Sequence, residues 1–470
     1  MKPSTPTRAD PEPDPERRTL LKLAPAGAAA ALGWPSAATA LDDAPTDALL
    51  RARLQDRGVG LLAVQVQGEG VDVSVQGRSR VDAPEALHSN ALFEIGSITK
   101  TFTALLLADA VVRRQLALTD PVESALPDGI RLRDAAGAPI RWIDLATQRS
   151  GLPRLPSNLR PSTPVDPYND YGEAQLLAFL RSFEPSIERG ARYGYSNLGF
   201  GLLGYALGRA IGSDYPRALV SRVLQPLGLT DAYLALPGRS FDRLPGGHDV
   251  ERRPVPPWHL DVLAGAGALV MTGAMLVRYA QAALGVRDTP LREAFALAER
   301  EHAPGPSEKT SLGLAWMRVP LKGRTLLNHD GGTYGFSTSL WLDPSGQRAA
   351  AVLSNAAVEV DDLALHLLDE SLPLRDFKPL PLTEIAQTPE QLAPLVGVYA
   401  FTPQFKLTVS LRGEALWAQA TAQGPFALFA SAPRRFFARV TPIEMAFDDG
   451  EPAPALTLKQ SGQTLRGTRE

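Results

Sequence analysis

Ser97 and Lys100 stand three residues apart in the stretch Phe93-Glu94-Ile95-Gly96-Ser97-Ile98-Thr99-Lys100, at the head of an apolar run. Residues three apart on a helix share a face, so a lysine amine there reaches the serine hydroxyl. A lysine in a desolvated site releases its proton more easily and can then accept one from the serine. Backbone N–H groups at a helix N-terminus also suit a developing oxyanion. Ser-x-x-Lys is equally common as helix punctuation, with serine capping and lysine decorating the surface, and by itself decides nothing.

Two further clusters carry usable chemistry. Tyr195 and Asn197 open a helix whose buried face holds Phe200, Leu203 and Tyr205 or Ala206. A phenol beside a lysine can be lowered in pKa and shuttle a proton, and a side-chain amide can hold a substrate carbonyl. The plainer reading is a capping asparagine with a tyrosine packed under the helix. In Leu326-Leu327-Asn328-His329-Asp330-Gly331-Gly332 a strand is expected to end at His329, after which the glycines let the backbone approach a ligand closely. Here the plainer reading is a hairpin turn with an incidental histidine.

Several elements must position these residues. Leu61–Gln67 and Val71–Gln76 flank Gly68-Glu69-Gly70, a hairpin signal. From about Ser97 a helix is predicted with Ile98, Phe102, Leu105 and Leu106 buried, and with Ser97, Lys100, Thr103 and Arg114 on another face. Arg149–Gly172 contains five prolines and no period, a loop long enough to expect a role for it; Ser150–Tyr171 is expected to form one wall of the cleft and set substrate size. Helical runs follow at Glu173–Phe183, Ser196–Ile211, Tyr215–Leu227 and Leu263–Leu284, and short β-rich runs return from Leu312 to Asn355. Strands at both ends with helices between predict an α+β fold in which the two β portions join into one antiparallel sheet. Beyond a proline-rich linker, Leu407, Val409 and Leu411 alternate on one strand and Leu416, Ala418 and Ala420 on the next, the pattern of a small barrel or sandwich. The expected division is 1–40, an export signal; 41–375, a catalytic domain; 376–391, a linker; and 392–470, a small β domain.

Composition narrows the classes. The chain has 470 residues, 44% hydrophobic and 21% charged, with a net charge of −3. That balance gives no reason to expect a nucleic-acid partner. Arg17-Arg18, a weakly apolar Ala-rich segment and Ala38-Thr39-Ala40 read in order as a twin-arginine-like export signal, too short to span a bilayer. The mature chain is expected to begin near Leu41, in the periplasm or beyond, with no stable membrane span. With no cysteine and six scattered histidines, neither a thiol nucleophile nor a metal site is expected, and no cofactor is called for.

Taken in this order, the three motifs resemble the serine β-lactamase and penicillin-binding-protein superfamily, in the class C β-lactamase-like branch that includes D-alanyl-D-alanine carboxypeptidases and related esterases. The resemblance runs from about Leu61 to Asn355 and takes in Ser150-Gly151-Leu152-Pro153; the tail resembles the small lipocalin-like barrel of many such hydrolases. It implies an antiparallel sheet flanked by helices with a helical subdomain. It also implies Ser97 as acylated nucleophile, Lys100 as its proton acceptor or electrostatic partner, and Tyr195 as sharing acid–base work. Asn197 would orient the substrate amide, and the N–H groups of Ser97 and Gly332 would form the oxyanion hole. One departure stands out: where the family usually has Lys-Thr-Gly or Lys-Ser-Gly, this chain has His329-Asp330-Gly331. An ordinary imidazole is mostly neutral at pH 7, although Asp330 next door can raise it. The implied partner is a small-molecule or peptide substrate: a D-alanyl peptide or β-lactam, alternatively a small ester. A non-hydrolytic binder of peptidoglycan fragments is a third reading. The sequence leaves the oligomeric state open.

Overall fold

The computed structural model describes residues 45–56, 58–163, 165–375, 384–402, 405–421, 425–438, 443–460 and 463–470. The expected export signal and the first half of the expected linker lie outside the described residues.

The larger, amino-terminal region opens with helix α1 (Pro45–Asp56) and the hairpin of β1 (Gly60–Gln67) and β2 (Gly70–Gly77), then β3 (Leu92–Glu94) and α2 (Thr99–Val112). Further along come α3 (Asn197–Ala210), β4 (Ala232–Leu234), β5 (Leu269–Thr272) and α4 (Gly273–Ala283). Four strands close it, β6 (Met317–Leu321), β7 (Arg324–Gly332), β8 (Ser337–Asp343) and β9 (Arg348–Ser354), and then α5 (Asp361–Leu368).

The two β portions do join. One eight-stranded sheet runs β2-β1-β9-β8-β7-β6 and ends in the short strands Ser311–Leu312 and Ala303–Pro304. β1 pairs antiparallel with β9, Leu62 opposite Leu353 and Gln65 opposite Ala350. Successive side chains of a strand point to opposite faces. In β1, Leu62, Val64 and Val66 enter the main core with Phe102 and Leu105, while Leu61 and Ala63 pack with Leu50, Leu363 and Ala364 of α1 and α5. Both faces of the strand are covered, which explains the continuous apolar run Leu61–Val64.

α2 differs from the predicted one-sided helix. It begins at Thr99, after a 3₁₀ turn Gly96–Ile98 that holds Ser97, and every residue from Thr99 to Ala110 is buried. Lys100 and Thr103 therefore face packed protein, and Arg114 lies beyond the helix end with φ of 58°. The predicted helix over Leu263–Leu284 divides: Leu269–Thr272 is a fully buried strand in the small sheet β3-β5-β4, and Thr272 caps α4 by accepting the N–H of Met275. A short, continuous apolar run is the case in which periodicity cannot separate buried strand from buried helix. β7 also continues past His329 as far as Gly332.

The C-terminal part is a closed, antiparallel, eight-stranded barrel between Gly397 and Arg469. Its core holds Leu407, Val409, Leu416 and Ala418 with Tyr399, Phe436 and Leu456. No helix among the described residues is long and apolar enough to cross a membrane.

Candidate active site

The 3₁₀ turn ahead of α2 presents Ser97 to a large cleft, while Lys100, one turn later, has no exposed surface. The Lys100 amine donates to the Ala266 carbonyl at 2.6 Å and lies 2.9 Å from Ser97 Oγ. Burial, aided by the charge of Arg154, drives the lysine well below its ordinary pKa. A neutral amine keeps a lone pair, so the contact with Ser97 can carry the hydroxyl proton to nitrogen.

Tyr195 comes to the same point from the other side. Its hydroxyl is hydrogen-bonded to Ser97, and its ring centroid is 4.9 Å from Lys100 Nζ. Burial raises the phenol above its ordinary value, with the Ser97 bond opposing. The expectation of a lowered phenol is thus corrected: beside a neutral amine, burial outweighs the opposing pulls of Ser97 and the Arg154 charge, and Tyr195 stays a protonated donor. Its position is fixed by the next residue. The Ser196 side chain accepts the N–H of Gly199 as the cap of α3 and donates to the Pro153 carbonyl, and the Ser196 N–H donates to Gln148. Asn197 is the first residue of the helix; its Nδ2 donates to the Tyr168 hydroxyl at 3.2 Å, and its Oδ1 is buried with no hydrogen-bond partner among the described residues. An unmet buried acceptor lining a cleft is a waiting partner for a ligand N–H.

The third motif arrives along β7. A Cβ on Gly331 would lie 2.0 Å from the Ile95 carbonyl oxygen, and one on Gly96, at φ of 48°, would lie 2.6 Å from the Gly332 nitrogen. Only a backbone without side chains can approach the serine turn this closely, and this brings Gly332 to Ser97. His329 is almost fully buried, and its Nδ1 lies 2.8 Å from the Asp330 carbonyl oxygen. A carbonyl only accepts, so Nδ1 carries the hydrogen and Nε2 is left as an acceptor. Burial, reinforced by Lys100, pushes the imidazole down to about 3. The upward pull from Asp330 comes only from its backbone carbonyl and is outweighed, because neighbouring strand residues face opposite ways and its carboxylate points elsewhere. Its carboxylate is held instead by Ser339 at 2.6 Å and Asn328 at 3.1 Å.

The cleft has a volume of about 1320 Å³, and its walls come from three sources. The proline-rich loop supplies Arg154, Leu155, Leu159 and Tyr168. Tyr168 packs edge-on against Trp258, which packs on Tyr334, at 5.1 and 5.3 Å between ring centroids. The barrel adds Arg412, Trp417 and Phe426, a contribution no feature of its sequence pattern signals. Glu94, three residues before Ser97, also went unassigned. It is buried, accepts the Trp258 N–H at 2.7 Å, and is pushed up to about 7 by burial. The one available signal was an acid inside the apolar stretch Leu92-Phe93-Glu94-Ile95.

Comparison with known proteins identifies the fold and the family. The β-lactamase of Lysobacter lactamgenus is 26% identical over 348 residues, 65% of this chain and 87% of that relative. The D-alanyl-D-alanine-carboxypeptidase/endopeptidase AmpH of Escherichia coli (strain K12) is 27% identical over 278 residues, 56% of this chain and 71% of that one. In fold, the octameric penicillin-binding protein homologue from Pyrococcus abyssi superposes with a TM-score of 0.62 at 21% identity, covering 91% of this chain and 100% of its own. The family model described as Beta-lactamase matches residues 46–371, which takes in Ser97, Lys100, Tyr195, Asn197 and His329 together with the sheet and helices that carry them. On that match the chain belongs to the beta-lactamase family of serine hydrolases.

Proposed function

We propose that the protein cleaves an amide bond of a D-alanyl peptide or a β-lactam through an acyl-enzyme on Ser97. The observation that carries this is the fully buried Lys100 amine 2.9 Å from Ser97 Oγ. Ser97 attacks the carbonyl carbon as its proton passes to Lys100 Nζ. The tetrahedral oxyanion lies between the N–H groups of Ser97 and Gly332, each such donor being worth about 2.7–4 kcal/mol. Asn197 aligns the amide. As the C–N bond breaks, the leaving nitrogen takes a proton from Tyr195, which is replenished by the proton held on Lys100. Water then attacks the ester carbonyl and gives a proton to Lys100, which passes it to Ser97 Oγ as the ester C–O bond breaks and the acid departs.

A second reading, hydrolysis of small esters at the same residues, is favoured by His329, whose neutral ring brings no charge to a substrate carboxylate. The non-hydrolytic binder is disfavoured because the nucleophile stands in contact with both proton-handling groups. Export through the amino-terminal signal would bring the enzyme to cell-wall substrates.

The test is turnover of a D-alanyl-D-alanine peptide, a penicillin and p-nitrophenyl acetate by the parent and by Ser97→Ala. Amide or lactam cleavage that vanishes in the variant supports the first reading, and ester cleavage alone supports the second. Turnover unchanged by the substitution rejects both.

A further inference from the structure

The replacement of the usual third-motif lysine leaves a question of charge. His329 is neutral, and with Nδ1–H committed to a carbonyl its other nitrogen offers a lone pair. An acceptor facing a carboxylate repels it. Lys100 is buried and committed to Ser97 and Ala266. Fixed positive charge on the cleft wall comes from Arg154, Arg160 and Arg412. Arg160 is exposed and donates to the carbonyls of Ser157 and Leu159, and Arg412 lies over the Trp417 ring of the barrel at 4.9 Å.

Arg154 is differently placed. Its guanidinium carbon is 5.2 Å from the centroid of the Tyr195 ring, the ring whose hydroxyl bonds Ser97. Its backbone is fixed to the same helix, because its carbonyl accepts the N–H groups of Asn197 at 3.0 Å and Leu198 at 3.2 Å. The side chain is half-buried, and no carboxylate among the described residues forms an ion pair with it. A guanidinium presents a planar fork matched to a carboxylate and cannot be switched off at accessible pH.

From this geometry we infer that Arg154 is the carboxylate-binding residue of the cleft, replacing from the Pro-rich loop the charge that β7 lacks, and that the substrate bears a free carboxylate close to the scissile bond. The inference rests on the acyl-transfer reading for its orientation of substrate, and it selects a carboxylate-terminated amide or lactam over a neutral ester.

The experiment separates the two claims by measuring binding without chemistry. Ser97→Ala protein is titrated calorimetrically with N-acetyl-D-alanyl-D-alanine and with its C-terminal amide. A charge-assisted pair predicts that the acid binds roughly 10- to 100-fold more tightly than the amide. Arg154→Gln in the same background removes that preference, and Arg154→Lys retains part of it, which also guards against a simple folding defect. An acid preference that survives Arg154→Gln overturns the inference, as does equal binding of acid and amide when Arg154 is present. A purely electrostatic influence on Tyr195 and Lys100 would weaken both ligands alike, which also counts against it. Turnover of the acid by the Ser97 protein is read separately: an Arg154-dependent preference with no turnover would reject the hydrolytic reading and leave the carboxylate site standing.

Discussion

Replacing Lys100 by methionine tests the state of the amine, because the same burial that makes it a base makes it a burden on the fold. An ordinary lysine has a pKa of 10.5, whereas burial holds this one well below that. Keeping a lysine neutral below its ordinary pKa costs about 1.36 kcal/mol for each unit by which that pKa is depressed. Methionine is of similar length and removes this cost. It also leaves the Ala266 carbonyl without its donor, about 1–3 kcal/mol, and deletes the bond to Ser97, about 1 kcal/mol. The net expectation is that Lys100→Met is at least as stable as the parent at pH 7. The sign of the pH dependence follows from proton counts. Between the folded and unfolded pKa values the unfolded chain holds the extra proton, so the parent gains stability as pH rises while the variant does not. From pH 7 to 10 the parent should recover stability relative to the variant, by up to about 1.36 kcal/mol per pH unit. The assay is urea denaturation of both proteins at pH 7, 8, 9 and 10, alongside turnover, which should fall by about 10²–10⁴-fold on loss of a general base. A variant several kcal/mol less stable at pH 7, with a gap that does not change with pH, would mean that Lys100 is protonated in the folded protein and would refute this reasoning.

Other consequences can be checked alongside. Glu94, pushed up to about 7 from an ordinary 4.5, keeps its proton after the unfolded chain has lost it, so stability should fall as pH rises from 4.5 to 7. Glu94→Gln should flatten that part of the stability profile, and an unaltered profile would show that the carboxyl is ionised when folded. In Gly331→Ala the added methyl group would meet the Ile95 carbonyl oxygen at 2.0 Å and push β7 from the serine turn. The expected result is a loss of roughly 1–3 kcal/mol in urea denaturation and a fall of about 10²-fold or more in kcat. Tyr195→Phe keeps the ring and deletes the hydroxyl bonded to Ser97, so acylation followed by stopped flow should slow by about 10²–10⁴-fold with the denaturation midpoint little changed. Acylation at the parental rate would remove Tyr195 from the mechanism.

The motifs were legible because each pairs a reactive group with a backbone requirement that sequence records. Ser97 precedes Lys100 by one turn, and the glycines of the third motif mark where β7 must touch another chain segment. The hairpin and the alternating strands were likewise readable from period two. Three features were not. α2 is buried all round, so the polar face suggested by Lys100 and Thr103 does not reach solvent, and only the tertiary packing reveals the desolvation that lowers the amine. Leu269–Thr272 is apolar at every position and therefore without a period to read. The third is the contribution of the barrel residues Arg412 and Trp417 to the cleft, which arises from a second core distant in sequence, where no local pattern marks the meeting.

The central claim is that Ser97 is acylated with Lys100 as its base, and intact-mass spectrometry of the protein mixed with a panel of penicillins and cephalosporins over time addresses it most directly. A mass increase equal to the intact β-lactam, located on Ser97 by peptide mapping, absent in Ser97→Ala and greatly slowed in Lys100→Met, is the predicted result. Its lifetime separates a slowly released acyl-enzyme from a turning-over lactamase. An adduct on another residue, or one that forms as fast without Lys100, would contradict the account.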